Sequence, residues 1–465
     1  MSAEQQNNRE IFEEFPIAKA VRTMAVPTVI SQLIVLIYNM ADTFFVGRTN
    51  NPYMVAGASL ILPIFNISLS LSGLAGVGGG ALISRLLGEK RPEEARKVYS
   101  FSVWLCVFAS ALFSAGVLLF MKPLMAALGA GEETYGYASG YAFFVIVCGG
   151  IPTVLSNTLA ALLRSVGESK KAGIGITMGG LINIALDPLF MFVLLPDGME
   201  ILGAGAATCL SNCIACSYFI FVILRMRDGG SVLRLCPPFR FPGSRSVFGI
   251  FAVGLPSAIA TFLFDMDYIV IDRLMSGYHD IALAAVGIVL KAERLPLNVG
   301  VGICQGMMPL VAYNYSARNY PRMNGIKRYS LRLGLICAAV SIALYELLAG
   351  RIMRLFIGDA QTVLLGTGFL RIRVLATPLM FLSFFHVYLF NGFGKGGYAL
   401  FLGVTRWLVF NIPMLFLLNR LFGMYGIVWA QSAADILTVA LSLAVYRRYE
   451  RRTLRPSGGE PSADT

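Results

Sequence analysis

The chain has 465 residues and a formal net charge of +12, with 56% hydrophobic and only 14% charged residues. A soluble globular chain carries about a quarter charged residues, so a mean hydropathy of +0.69 marks a chain solvated mainly by lipid. The apolar runs lack the period-2 alternation of a lipid-facing barrel, which excludes transmembrane strands.

A hydrocarbon core roughly 30 Å thick needs about 20 apolar residues per helical span. In chain order the runs predict helices over 20–46, 53–83, 97–121, 135–163, 172–195 and 202–224. A second set is predicted over 247–275, 281–305, 326–349, 366–391, 397–419 and 424–446, which makes an all-α polytopic membrane protein of about twelve spans. The stretch Met1 to Glu14 is polar and acidic, and the first span is too long for the apolar core of a signal peptide. The first helix is therefore expected to stay in the mature protein. The expected organisation is an N-terminal tail over 1–16, a first lobe over 17–225, a linker over 226–246, a second lobe over 247–449 and a disordered tail over 450–465.

The placement of the positive charge decides what it means. Arg85, Lys90, Arg91, Arg96 and Lys97 follow the second span, Arg164, Lys170 and Lys171 the fourth, and Arg225, Arg227, Arg234, Arg240 and Arg245 the sixth. Arg318, Arg322, Lys327 and Arg328 follow the eighth, and Arg447, Arg448, Arg451, Arg452 and Arg455 the last. The alternate connections hold little beyond Arg48, Lys122, Arg273, Arg351, Arg354 and Arg420. This is the positive-inside pattern of a multi-pass membrane protein with both termini cytoplasmic. The basicity is topological and implies no nucleic acid.

Cys209, Cys213 and Cys216 share one helix face, but in a span they read as small packing residues. With only His279 and His386 there is no histidine-rich metal or catalytic constellation, and no cofactor is expected.

The two halves can be laid on each other at an offset of roughly 225 residues. Asn39-Met40-Ala41-Asp42-Thr43 matches Phe264-Asp265-Met266-Asp267-Tyr268, with Arg48 and Arg273 following at the same spacing. Leu87-Gly88-Glu89-Lys90-Arg91 aligns with Tyr315-Ser316-Ala317-Arg318-Asn319, Arg164 to Gly167 with Asn391 to Gly394, and Gly203 to Thr208 with Gly426 to Gln431. An even number of spans per half makes the repeats parallel, with a cavity between two lobes.

Ionisable residues inside spans cost at least roughly 2.5 to 3.5 kcal/mol each and are functional candidates by default. In the first lobe these are Asp42 near the outer end of helix 1 and Asp187 in helix 5, with Asn183 one turn before Asp187 on the same face. Pro188 follows at once, and a proline within a span frees a carbonyl toward a polar cavity. With the Thr208 hydroxyl these groups make an oxygen-lined pocket, and two crowded carboxylates favour holding Na⁺ or a proton. The plainer reading of Asp42 is a carboxylate at the lipid–water boundary, and Pro27 is either a hinge in helix 1 or a passive kink. In the second lobe the candidates are Asp265, Asp267 and Asp272 on helix 7, Glu293 with Lys291 and Arg294 on helix 8, and Asp435 in helix 12. Asp265 and Asp272 share a face, whereas Asp267 points elsewhere. Lys291 with Glu293 reads as an internal salt bridge, and Asp435 as a partner of either a cationic substrate or a neighbouring helix.

These residues resemble the multidrug and toxic compound extrusion (MATE) family, closest to its DinF-like and MepA-like bacterial branch. The likeness runs from Phe15 to about Tyr449 and is carried by Ala41-Asp42-Thr43-Phe44-Phe45-Val46-Gly47 and Asn183-Ile184-Ala185-Leu186-Asp187-Pro188. It is also carried by Gly203 to Thr208, Gly254-Leu255-Pro256 and Tyr313-Asn314-Tyr315-Ser316-Ala317, where typical members have glycine in place of Ser316. The resemblance implies two six-helix pseudo-symmetric lobes and export of amphipathic or cationic drugs by antiport with Na⁺ or H⁺. It implies a first-lobe cation site at Asp42, Asn183, Asp187 and Thr208, with bending of helix 1 at Pro27 during coupling. NorM-like relatives place acids on helices 7 and 10. Here helix 7 has Asp265 one residue out of register and helix 10 offers only His386, which disfavours a second-lobe cation site.

The expected mechanism is alternating access, with substrate contacts from Tyr38, Met40, Phe44, Phe65, Phe264 and Met266 in the central cavity. Membrane lipid surrounds the chain, and nothing in the sequence demands more than a monomer. One rival reading is a flippase of lipid-linked precursors from the same superfamily, whose cavity is expected to be basic. The other is a membrane-embedded enzyme, for which no metal motif, nucleophile elbow or P-loop is present. The absence of a nucleotide motif also points to a secondary transporter.

Overall fold

The computed structural model describes residues 10–49, 51–227, 231–234 and 241–454, and among them the regular structure is helical with no strand. The first half comprises α1 (Ile17–Gly47), α2 (Pro52–Gly88), α3 (Pro92–Leu119), the bent α4 (Glu132–Cys148 with Gly150–Ser165), α5 (Ser169–Leu194) and α6 (Glu200–Arg227). The second comprises α7 (Ser244–Met275), α8 (Asp280–Ser316), α9 (Tyr320–Phe356), the bent α10 (Ala360–Val374 with Thr377–Gly392), α11 (Gly396–Phe422) and α12 (Met424–Tyr449). Nine of these helices are long and apolar enough to cross a bilayer, and the two bent pairs bring the number to eleven. In α7 the segment Ser244–Ala260 is apolar, and the side chains of Thr261, Phe262, Phe264, Asp265 and Met266 lie outside the described residues.

Local chemistry starts several of these helices. Pro52 takes the first position of α2, where an N–H is not needed, and the Asn51 side chain accepts from the backbone N–H groups of Tyr53 and Met54 at 3.0 and 3.4 Å. His279 Nδ1 caps α8 by accepting from the Ala282 N–H at 3.0 Å. At the start of α10, Asp359 accepts from the backbone and hydroxyl of Thr362, which holds its carboxyl below the usual carboxylate range.

The backbone repeats between the halves. Among the described residues Lys90 and Arg318 are the two non-glycine residues with positive φ, at 59° and 57°, and they occupy matching turns after α2 and α8. Gly167 and Gly394 have φ of 95° and 72° in the turns after α4 and α10, and Gly198 and Gly423 have φ of 92° and 60° before α6 and α12. The bends in α4 and α10 also match, at 47° and 45°.

The halves meet through small residues that let backbones approach, as expected where lipid removes the hydrophobic drive between helices. A Cβ at Gly306 of α8 would lie 2.6 Å from the Ala25 Cα of α1, and one at Gly302 2.7 Å from the Val29 Cα. Gly254 of α7 packs in the same way on Leu74 of α2. The part of the N-terminal tail from residue 10 onward is docked on the second half. Ile11 and Phe12 are buried, Phe12 stacks on Tyr313 at 4.7 Å, and Tyr313 donates to Glu13 Oε1 at 2.5 Å. Arg322 donates to the carbonyls of Ile11, Phe12 and Phe15 at 3.2, 2.6 and 2.8 Å. Residues 313–316 thus have a partner to pack on, which is why α8 runs past the predicted end at 305.

Candidate ion site

Glycines on α5 set the position of α1. A Cβ at Gly173 would sit 2.8 Å from the Pro27 carbonyl oxygen, and one at Gly180 2.8 Å from Ile34 Cγ2 and 3.1 Å from the Tyr38 ring. The two helices keep step over these two contacts, and the next two turns bring Asp42 of α1 level with Asp187 of α5. Asp187 is fully buried and Asn183 nearly so. Asn183 Nδ2 donates to Asp187 Oδ1 at 3.1 Å and to Thr208 Oγ1 of α6 at 3.3 Å. Asp42 lies within electrostatic reach of Asp187, and Tyr38 and Tyr141 within reach of both.

The four first-lobe residues singled out in the sequence are therefore together, and their oxygens are not used up. Asp42 Oδ1, Asn183 Oδ1 and Asp187 Oδ2 are all buried without a hydrogen-bond partner. Buried oxygens of this kind are rare unless something fills the place. Among the described residues no Lys or Arg forms an ion pair with either carboxylate. Pro188 has no N–H to offer the Ile184 carbonyl, and α5 passes into a π-turn over Phe190–Leu194 immediately afterwards. Two carboxylates, an amide oxygen and a hydroxyl form a hard, anionic oxygen set suited to a proton or to Na⁺. α1 continues as one helix through Pro27, and the next residue, Thr28, donates its hydroxyl to the Met24 carbonyl at 2.8 Å.

The second half is built differently. Glu293 of α8 is gripped by Arg373 of α10, with Nε to Oε2 at 2.5 Å and Nη2 to Oε1 at 2.8 Å, and Tyr268 donates to Oε1 at 3.4 Å. This corrects the expected Lys291–Glu293 pair: Lys291 is exposed, within electrostatic reach of the equally exposed Asp272. Asp435 of α12 bonds a neighbouring helix, accepting from Arg406 of α11 at 2.8 and 3.3 Å and from Gln431 at 2.8 Å. The Arg406 guanidinium lies over the rings of Trp407 and Phe384, at 4.4 and 4.9 Å. Asp267 is the buried acid of α7 and accepts from the side-chain amide of Asn411, with Arg373, Arg406 and Glu293 within electrostatic reach. The side chain of Asp265, another candidate on this helix, lies outside the described residues, as do those of Phe264 and Met266. His386 is buried and bonds the Leu382 carbonyl at 2.7 Å. Among the described residues no group of three or more His, Cys, Asp or Glu is arranged to hold a metal.

Sequence reasoning missed Arg373 and Arg406. Both lie inside predicted spans, at 366–391 and 397–419, and a search for buried charge of either sign finds them as readily as it finds Asp187. Of the expected cavity contacts, Tyr38 and Met40 are half-buried, Phe44 is 59% exposed, and Phe65 packs on the first-half core.

The profile of the MatE family matches residues 27–189 and 256–417, one segment in each half. The chain belongs to the MATE family. It is 28% identical to the multidrug export protein MepA of Staphylococcus saprophyticus, over 95% of this chain and 96% of that one. It is 29% identical to MepA of Staphylococcus aureus over 96% and 97%. Among solved structures it is similar to the outward-facing conformation of a multidrug resistance MATE family transporter of the MOP superfamily, with a TM-score of 0.89 at 21% identity over 95% and 97% of the chains. A mutant of the Vibrio cholerae MATE transporter VcmN is similar with a TM-score of 0.87 at 18% identity, over 94% and 97%. The MATE fold, two six-helix halves across the membrane, is thus the fold of this chain, and the chain is a multi-pass membrane transport protein.

Proposed function

We propose that this MATE protein is a secondary active exporter of amphipathic and cationic compounds, driven by antiport of Na⁺ or H⁺ bound at Asp42, Asn183, Asp187 and Thr208. The observation that carries this reading is the set of three buried, partnerless oxygens on Asp42, Asn183 and Asp187. An uncompensated pair of buried carboxylates is strongly unfavourable, so a cation or proton is bound there for much of the cycle. Coupling follows if the ion binds the two states of the lobes unequally, because an ion can shift an equilibrium only by its differential affinity. α1 is the element in position to transmit it, since Asp42 and Pro27 lie on one helix and Pro27 packs on Gly173 of the helix that carries Asp187. Tyr38, within electrostatic reach of Asp42 and Asp187, and Met40 on the same helix serve as substrate contacts.

The lobes span 17–225 and 247–449, both termini face the cytoplasm of a bacterial inner membrane, and one chain suffices for transport. The acidic first-half site suits an ion-driven drug exporter rather than an enzyme.

Purified protein in proteoliposomes loaded with ethidium tests this. Export that follows an imposed Na⁺ or H⁺ gradient, without nucleotide, is the expected result. Dye movement indifferent to both gradients contradicts antiport.

A further inference from the structure

The repeat extends from the turns into the polar interior. Gly167 and Gly394 precede helix starts of nearly equal backbone geometry: Glu168 has φ −89° and ψ 44°, Lys395 φ −102° and ψ 56°. Counted from those starts, Asn183 of α5 and Asn411 of α11 fall at the same place, once the extra residue of the π-turn Thr405–Asn411 is allowed for. Asp42 of α1 matches Asp267 of α7, and Thr208 of α6 matches Gln431 of α12. The chemistry is carried over in part. Each asparagine donates its side-chain amide to an aspartate, Asn183 to Asp187 on its own helix and Asn411 to Asp267 of α7, the counterpart of Asp42.

The charge is what differs. In the first half two carboxylates face each other without a basic partner. In the second, Asp267, Glu293 and Asp435 share their surroundings with Arg373 and Arg406, whose side chains are 1% and 5% exposed. We propose that the second half holds a converted copy of the first-half ion site, in which the guanidinium groups of Arg406 and Arg373 permanently take the place of an exchangeable cation, so that ions are bound and released by the first half alone.

Oxygen occupancy supports this. Both carboxylate oxygens of Asp435 and both of Glu293 already accept from donors, whereas Asp42 and Asp187 each keep a buried carboxylate oxygen with none; the amide oxygens of Asn183 and Asn411 lack a partner in both halves. A planar guanidinium binds a carboxylate through two parallel bonds and is charged at any working pH, so it is not displaced as a bound ion is. Arg406 is also fixed in place by the rings of Phe384 and Trp407. The arrangement makes the two lobes unequal in function although their backbones repeat: one senses the ion and the other is a rigid, internally neutralised counterpart.

The inference rests on the first-half ion site proposed above, and one experiment separates the two. Full-length protein in detergent is assayed for ²²Na⁺ binding and, with a pH-indicator dye, for proton uptake after a pH jump. The expected result is that the ion bound by wild type is lost in the Asp42→Asn, Asp187→Asn double variant and unchanged in number in Asp267→Asn and Asp435→Asn. Arg406→Met added to the first-half double variant restores cation binding, because it uncovers Asp435 and Asp267. A fall in ion number in Asp267→Asn or Asp435→Asn overturns the inference, and does so even if Arg406→Met fails to fold. Binding that survives in the first-half double variant and is lost only when Asp267→Asn is added defeats both readings. Loss in the first-half variant alone leaves both standing.

Discussion

Asn183 and Asp187 lie one turn apart on α5, joined by an Nδ2 to Oδ1 bond of 3.1 Å that leaves Asp187 Oδ2 buried and without a donor. The amide thus satisfies one carboxylate oxygen and aims the other into the space shared with Asp42. In the proposed ion site Asn183 thus positions Asp187 as well as offering its own oxygen, and the same nitrogen also reaches Thr208 Oγ1 at 3.3 Å.

The first prediction concerns that role. Asn183→Ala leaves Asp187 with neither amide bond nor fixed orientation, and gradient-driven export is expected to fall at least about tenfold, equivalent to 1.4 kcal/mol of coupling. Asn183→Asp supplies an oxygen but no donor and does not restore it. Dye efflux at matched expression measures this, and export at the wild-type rate in Asn183→Ala would remove Asn183 from the site.

Close approach of α1 to α5 makes the second. Gly173→Val places a branched side chain where a Cβ alone is 2.8 Å from the Pro27 carbonyl. Overpacking of this kind costs about 1–3 kcal/mol, and here it also pushes Pro27 away from α5. Lower thermal stability in detergent together with loss of coupled export is expected. Retained stability with normal export would show that α1 does not need this contact.

The Glu293–Arg373 pair separates structural charge from functional charge. Removing one partner of a buried pair costs about 3–5 kcal/mol, whereas replacing both with apolar groups is often neutral. Arg373→Met is therefore expected to lower thermal stability strongly, and Glu293→Leu with Arg373→Met to recover most of it. Asp187→Asn, which relieves a buried carboxylate, is expected to be no less stable than wild type. Additive losses in the double variant would contradict the pairing.

How much of this was legible in the sequence differs from residue to residue. The twelve helices and their repeat were legible because apolar run length and turn glycines are local properties: Gly167 and Gly394 stand in matching motifs and do take positive φ. The first-half cluster was legible because Asn183 and Asp187 are neighbours on one helix and Asp42 is isolated in an apolar run. The second half was not. Its pairs join Glu293 to Arg373 and Arg406 to Asp435 across different helices, and spacing along one helix suggested Lys291 instead. The burial of Asp267 likewise depends on which face of α7 turns inward, which spacing along one helix does not fix.

The N-terminal segment supplies the fourth prediction. Arg322 holds three carbonyls between Ile11 and Phe15, each a bond to a charged donor worth about 1.5–3 kcal/mol at most. Arg322→Ala is expected to raise amide hydrogen exchange across residues 10–16 several-fold while leaving α5 protected. Exchange unchanged from wild type would mean that Phe12 stacking on Tyr313 suffices to hold the segment.

The central claim is that Asp42 and Asp187 carry the coupling ion, and it is tested most directly by ethidium efflux from proteoliposomes under separately imposed Na⁺ and H⁺ gradients. Wild type is compared with Asp42→Asn and Asp187→Asn at equal incorporation. The account predicts that wild-type efflux follows one of the gradients and that each substitution abolishes the response. Efflux that responds to the gradient as in wild type in both variants would contradict it.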